Sequence, residues 1–327
     1  MREMASFCIA FFVTAVLGKI LIPLLQRFKA GQSIKEDGPT WHMSKQGTPT
    51  MGGLMFIVGI GVAVFVMGIP EMLSGDYSHL FVFGFAFIFA VIGMIDDVQK
   101  IRHKANEGLT ALQKLLLQLA VSLAFVVLLR YSGEITPNLY IPFLNEQIPM
   151  SWWLYMAFAA FVMVATVNSV NLTDGVDGLA TGVTIPVMLF YLAVGLCGEH
   201  GTAHFTAAAF VGGLAAFLLY NYHPAKVFMG DTGSLFLGGA VCALAFVLNM
   251  PLVIPIIGLI YVLEALSDII QVFYFKATKG KRFFRMAPLH HHFEMGGWSE
   301  KKLFCVFGGV TVILCVIAFL GVMHRYP

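Results

Sequence analysis

The sequence predicts an all-α polytopic membrane protein, and three observations carry that reading. Hydrophobic residues make up 58% of the 327 and charged residues 12%, about half the roughly 25% charged content of soluble domains. The mean hydropathy is +0.83. The apolar residues gather into ten runs, each close to the roughly 20 residues a helix needs to cross a hydrocarbon core of about 30 Å.

The runs cover residues 4–25, 51–69, 79–95, 112–129, 152–170, 179–197, 205–222, 234–250, 252–275 and 303–323. The first lacks a small-residue cleavage signature and carries Lys19, so it reads as a retained helix and not a signal peptide. Between the fourth and fifth, NLYIPF and EQIPMSW alternate enough to predict an outer β-hairpin. The ninth contains Pro255 and two acids, Glu264 and Asp268, four residues apart. Ionisable residues at membrane depth are functional candidates, here for the edge of a lipid groove beside Gln271; snorkelling or interhelical hydrogen bonding is the equal alternative. The five cysteines lie in or at the ends of apolar runs without metal-ligand spacing and read as core filler. With no internal repeat, low-complexity tract or long linker, residues 1–327 read as one membrane domain.

Orientation follows from Lys and Arg. If ten helices alternate, the loops after helices 1, 3, 5, 7 and 9 share one side and hold fifteen Lys and Arg, from Arg27 to Lys302; the opposite side holds only Arg2, Arg130 and Arg325. The positive-inside rule makes the first set cytoplasmic and puts both termini outside. Lys19 and Lys114 fall within predicted helices and vote weakly. The net charge of +2 therefore describes a basic inner face suited to anionic headgroups or an anionic cytosolic substrate.

The same inner loops hold the residues that can do chemistry. Helix 3 finishes IGMIDDVQKIRHK, with Asp96 and Asp97 facing the negative pole of the helix dipole, which costs a few tenths to about 1 kcal/mol. Local stability does not explain them, although two solvated acids neutralised by Lys100 and Arg102 would be the bland account. Helix 5 ends NSVNLTDGVDGLATG, where Asn168, Asn171, Asp174 and Asp177 recur every three residues and share a side if helical geometry persists. Such residues beside Gly are also ordinary loop formers, but two amides and two acids in a short loop without lysine suit a ligand surface. The loop NYHPAKVFMGDTGSLFLGG sets Asp231 at the start of helix 8 near Lys226, Gly230 and Gly233. An acid there is locally favourable as a cap, and free helix N–H groups with an acid for a divalent cation also suit phosphate. APLHHHFEMGGW carries three adjacent histidines, His290 to His292, better placed for hydrogen bonds to phosphate or sugar than for one metal centre. Hard acids without sulfur ligands favour Mg²⁺ or Mn²⁺, and acids, lysines and a helix N-terminus at a membrane surface suggest transfer involving a diphosphate.

Five motifs, GTPTMGG, DDVQK, NLTDGVDGLATG, NYHPAKVFMGDTGS and APLHHHFE, closely resemble those of the phospho-N-acetylmuramoyl-pentapeptide transferase (MraY) family, in order and over essentially the whole chain. PLHHHFE is the most specific; the others are shared across polyprenyl-phosphate N-acetylhexosamine-1-phosphate transferases. The resemblance implies ten helices with outside termini, a homodimer in the bacterial inner membrane, and Mg²⁺-dependent transfer of phospho-MurNAc-pentapeptide from UDP-MurNAc-pentapeptide to undecaprenyl phosphate, giving lipid I and UMP for peptidoglycan synthesis. By motif it assigns Asp231 to Mg²⁺, with Asp96 and Asp97 at the catalytic centre and beside the metal. It lines the nucleotide-sugar pocket with Lys100, Asn171, Asp174, Asp177 and Phe228, brings Lys45 to the donor, and sets His290 and His291 on the donor's sugar-phosphate side. Asn168, Asn221, Gly230 and Gln271 belong to the same surface. Asp96 would deprotonate the lipid phosphate or attack as a nucleophile.

Two other readings compete. A sister transferase would use UDP-GlcNAc and the same lipid. An ion-coupled transporter would run through Glu264, Asp268 and Lys19, but transporters keep key charges near the midplane, whereas ten of the eighteen acids here lie in predicted inner loops.

Overall fold

A computed structural model describes residues 1–27, 45–103, 108–198 and 201–325; Lys29, Lys35 and Lys104 of the inner-loop charge count lie outside them. The order is α1 (Arg2–Arg27), α2 (Gly53–Met67), α3 (Ile69–Ser74), α4 (Ser78–His103), α5 (Ala111–Tyr131), β1 (Asn138–Ile141), β2 (Glu146–Pro149), α6 (Trp152–Thr173), α7 (Leu179–Cys197), α8 (Ala203–Asn221), α9 (Gly230–Val247), α10 (Ile254–Ile257), α11 (Leu259–Ala277), α12 (Leu289–Glu294) and α13 (Glu300–Val322). Caps explain several starts. Thr110 and Gln113 form a reciprocal capping box on α5, and Ser151 and Ser299 accept the Leu154 and Lys302 amides to open α6 and α13.

All ten predicted runs fall on helices. Among the described residues, however, eight helices are long and apolar enough to cross a membrane, or nine if one bent pair counts as a single span. At 15 residues, α2 is shorter than these and turns into α3 after Gly68. The expected unbroken helix over 252–275 is corrected: the chain bends by 78° between Pro251–Ile257 and Leu259–Ala277. Pro255 withholds an amide from the helix, and Gly258 between the two segments adds backbone freedom.

The core is built around α9, which is buried along nearly its whole length. Its Gly233, Gly238, Gly239, Ala240, Ala243 and Ala245 let neighbouring helices approach closely, the packing mode available where lipid removes the hydrophobic drive between helices. α4 and α6 pack along it, and α1, α2 and α8 form a second group. The outward faces stay apolar, with Phe12, Ile20, Leu116, Ile313 and Leu320 exposed; on a soluble surface such patches would promote aggregation, while here they meet lipid.

The two ends of the bundle differ in kind. At one, Arg2 donates to Glu71 and to the Met67 carbonyl, Ser78 binds Glu134, Asn249 donates to the Glu134 carbonyl, and Arg325 donates to the Leu248 carbonyl. Arg2 and Arg325 therefore share this end, which also carries the predicted hairpin, with Leu139 opposite Ile148 and Tyr140 opposite Gln147. The other end gathers the acids.

Candidate active site

The reason for the Asp96–Asp97 pair lies in the helix that α4 meets. α9 begins at Gly230 with free amide groups and no side-chain cap of its own. Asp97 supplies one from across the interface, accepting from the Asp231 amide at 3.1 Å, the Thr232 amide at 2.9 Å and the Thr232 hydroxyl at 2.7 Å. α4 runs six residues past Asp97 to His103, so the expected placement at a helix end is corrected and the dipole of its own helix weighs little on this acid, whereas the start of α9 favours it. Gly230 makes the approach possible: its φ is +71°, and a Cβ there would fall 2.6 Å from Asp97 Oδ2.

Asp96 is fully buried, with Oδ1 accepting the Leu109 amide at 2.8 Å. Its Oδ2 lies 2.7 Å from Lys100 Nζ and 3.0 Å from Lys114 Nζ. The same two ammoniums reach Asp231 Oδ2, Lys114 at 2.6 Å and Lys100 at 3.1 Å. Asn171 donates to Asp231 Oδ1 at 3.1 Å and to Ser234 Oγ at 2.8 Å. Three carboxylates, each offering an oxygen within 4.8 Å of the others, thus face two ammoniums, and positive charge is in deficit. An all-carboxylate set suits a hard divalent cation. Asp96 Oδ2 fits such a cation, being buried without a well-directed hydrogen bond despite the ammoniums nearby.

A second cluster lies beside the first. Lys45 Nζ donates to Asp177 Oδ1 at 2.7 Å and to Glu300 Oε2 at 2.6 Å. Asp177 Oδ2 also takes the Ala225 amide and His223 Nδ1, both at 3.0 Å. Burial works to raise the Asp177 carboxyl, but the hydrogen bond and charge of Lys45 hold it below the usual carboxylate range. Asp174, at the C-cap of α6, has no such cation among the described residues. Burial, then the charges of Asp231, Asp97 and Asp177, push its carboxyl well up.

The histidines diverge. His290 Nδ1 meets Glu264 at 2.9 Å, His291 Nδ1 meets Glu294 at 2.7 Å, and His292 Nδ1 accepts the Arg285 amide at 3.1 Å. Adjacent helical residues point about 100° apart, so three partners for three rings is the expected geometry. Among the described residues the groups able to hold a metal are Asp96, Asp97 and Asp231, or Asp177, His223 and Glu300, and neither includes the triplet.

Other expected site residues serve the frame. Asn168 forms an amide pair with Gln118 of α5, donating to it at 2.7 Å. Buried Asn221 donates to the Val227 carbonyl and accepts from Thr181, fixing the loop that follows α8. Half-buried Phe228 pairs through its backbone with Pro49 and Gly52. Gln271 is spent on backbone: it accepts the Phe283 and Phe284 amides and donates to the Phe284 carbonyl, pinning the basic stretch. It also borders, with Asp268, a cleft of about 320 Å³ beside α11.

The structure therefore brings Asp96, Asp97, Asp231, Lys100 and Asn171 into one cluster, sets Asp174 next to it, and puts Lys45 with Asp177 in a neighbouring one. Lys114, Glu300, His223 and Thr232 were missed as site residues. Lys114 looks like a stray cation in an apolar run, and Glu300 like an ordinary acid at a helix start. Only their long-range partners reveal them.

The family model for glycosyl transferase family 4 matches residues 79–249, and the phospho-N-acetylmuramoyl-pentapeptide-transferase signature 1 matches residues 45–57. The phospho-N-acetylmuramoyl-pentapeptide-transferase of Clostridium acetobutylicum is 49% identical over 320 residues, 97% of this chain and 98% of its own. That of Clostridium kluyveri is 48% identical with the same coverage, and that of Clostridium novyi 46% identical over 97% of this chain and 96% of its own. The two family matches take in Asp96, Asp97 and Asp231 of the first cluster and Lys45, Asp177 and His223 of the second.

Proposed function

The chain belongs to the phospho-N-acetylmuramoyl-pentapeptide-transferase family, multi-pass membrane phosphoglycosyl transferases of lipid I synthesis, and from that premise we propose how its acidic end works. Phospho-MurNAc-pentapeptide passes from UDP-MurNAc-pentapeptide to undecaprenyl phosphate, with release of UMP. The observation that carries this reading is the meeting of Asp96, Asp97 and Asp231 with Lys100 and Lys114 at one end of the bundle. Diphosphate transfer needs such concentrated, fixed charge far more than it needs covalent chemistry.

In the reaction a lipid phosphate oxygen attacks the sugar-bound phosphorus and the UMP oxygen leaves. Lys100 and Lys114 neutralise charge on the diphosphate. Asp231 and Asp96, with Asp97 beside them, would hold Mg²⁺, which supplies Lewis-acid stabilisation of the phosphoryl oxygens. We favour direct displacement over a covalent intermediate on Asp96, because Oδ1 of that carboxylate is engaged by an amide and Oδ2 faces two ammoniums, which blunts it as a nucleophile. Asp174, Asn171 and Lys45 border the donor, and His290 and His291 approach its sugar-phosphate side.

Donor choice tests the assignment. Consumption of UDP-MurNAc-pentapeptide with UMP release, dependent on undecaprenyl phosphate, is expected, with UDP-GlcNAc inert. Alanine at His290 or His291 should lower activity about tenfold or more, as loss of one good hydrogen bond at about 1.5 to 3 kcal/mol implies. UDP-GlcNAc as the better donor would move the chain to the sister transferases, and turnover of neither nucleotide sugar would sink the transferase reading.

The acidic end faces the cytoplasm of a bacterial inner membrane in this proposal, and the enzyme works as a homodimer of single-domain chains. Sidedness is measurable by cysteine labelling in intact cells. On a background lacking Cys8, Cys197, Cys242, Cys305 and Cys315, Gly280→Cys should be shielded from a membrane-impermeant maleimide and Thr136→Cys should react. The reverse pattern would invert the enzyme and put its site on the wrong side for a cytosolic nucleotide.

A further inference from the structure

Besides Asp96 Oδ2, two buried polar atoms near the site lack hydrogen-bond partners among the described residues: Glu264 Oε1 and His290 Nε2. They belong to one dyad. Glu264 lies within α11 at 0% exposure, and its Oε2 takes His290 Nδ1 at 2.9 Å and the His290 backbone amide at 3.3 Å. An ionised carboxylate only accepts, so with Glu264 in that form the Nδ1 it binds is the protonated nitrogen, and in the Nδ1–H tautomer Nε2 is a free acceptor. That nitrogen points at Gly175, where a Cβ would fall 2.2 Å from it. Gly175 is itself exposed and follows Asp174 directly, so only a residue without a side chain separates the lone pair from the candidate donor pocket. A buried unsatisfied acceptor under so thin a cover calls for an explanation.

We propose that Glu264 is a positioning residue of the donor site, fixing the His290 tautomer so that Nε2 accepts a hydroxyl or amide hydrogen of the phosphosugar once the donor displaces Gly175. The proposal rests on the reading that His290 meets the donor and adds the element that makes it competent. It also accounts for a carboxylate inside an apolar helix, an expensive placement without a partner. Asp268, one turn on, borders the cleft beside α11 and takes no part in the dyad.

Glu264→Gln is the primary test, in purified enzyme in lipid nanodiscs. The amide keeps size and can still hold the His290 backbone, but it can offer either oxygen or NH₂ to Nδ1 and no longer dictates the tautomer. A tenfold or greater loss of kcat/KM for the donor is expected, with KM for undecaprenyl phosphate and Tm little changed. In the His290→Ala background Glu264→Gln should cost nothing further. Gly175→Ala, which crowds the imidazole without touching Glu264, should reproduce the His290→Ala defect. In ¹⁵N-histidine spectra, the signal missing from His290→Ala should show protonated Nδ1 and bare Nε2 in the native enzyme and should change in Glu264→Gln. Equal losses from Glu264→Gln with and without His290, or an unchanged ¹⁵N signal, would overturn the proposal. Near-normal turnover by His290→Ala would instead remove the donor contact on which it rests, and the proposal with it, while a Tm collapse in Glu264→Gln leaves Gly175→Ala and the native ¹⁵N signal to decide.

Discussion

Asp231→Asn is expected to reduce turnover by about a thousandfold, at the upper end of what a single fixed charge contributes in an active site, and to raise the Mg²⁺ concentration needed for half-maximal rate. The argument begins with what the change leaves intact. The start of α9 is capped by Asp97, whose oxygens take the Asp231 amide, the Thr232 amide and the Thr232 hydroxyl, so the helix does not depend on the Asp231 side chain. Asparagine retains the shape and can keep the contact with Asn171. It loses a negative charge opposite Lys100 and Lys114, which are 30% and 22% exposed and can turn partly to solvent. Secondary structure and oligomeric state should therefore be unchanged in circular dichroism and gel filtration, with a fall in Tm of a few degrees. Near-normal turnover in this variant would reduce Asp231 to an ordinary acid of a helix first turn and take the metal assignment with it.

Much of this arrangement was legible in the sequence, for physical reasons that also set its limits. The apolar runs announce helices because lipid leaves the backbone no other way to satisfy its polar groups. An acid pair closing the third apolar run signals a non-local purpose, and for Asp97 that purpose is a cap on α9, although α4 runs on to His103 and its dipole is not the reason. What could not be read is anything decided by distant pairing. Lys114 sits in the first turn of α5, and only the approach of α5 to α4 and α9 shows that its ammonium serves Asp96 and Asp231. Lys45 and Asp177, both expected at the donor, are 132 positions apart and bind each other as well as Glu300, which no local pattern announces. Gln271 reads as a polar residue beside a groove and does border a cleft with Asp268, but its hold on the backbone at 283 and 284 could not be read. The break at Gly258 was foreshadowed by Pro255, but its angle depends on packing.

Lys114→Met should separate two contributions that Asp231→Asn removes together. Methionine keeps the unbranched apolar stem and deletes the ammonium that lies 3.0 Å from Asp96 and 2.6 Å from Asp231. If that ammonium neutralises the diphosphate during transfer, turnover should fall by about a hundredfold or more, the loss typical of one preorganised charge-stabilising group. Metal binding should move the other way. Two like charges a few ångströms apart in a partly buried site repel by about 4 kcal/mol at an effective dielectric of 20, so deleting one removes competition for the carboxylates. The Mg²⁺ concentration that half-saturates a thermal shift should drop, even as the rate collapses. Asp231→Asn is expected to lower the rate and weaken the metal together. The opposite signs on the metal axis distinguish a cation that works on the substrate from a carboxylate that works on the metal. A Lys114→Met enzyme with weakened Mg²⁺ binding would show instead that the lysine organises the acid cluster, and its place in the transfer step would have to be given up.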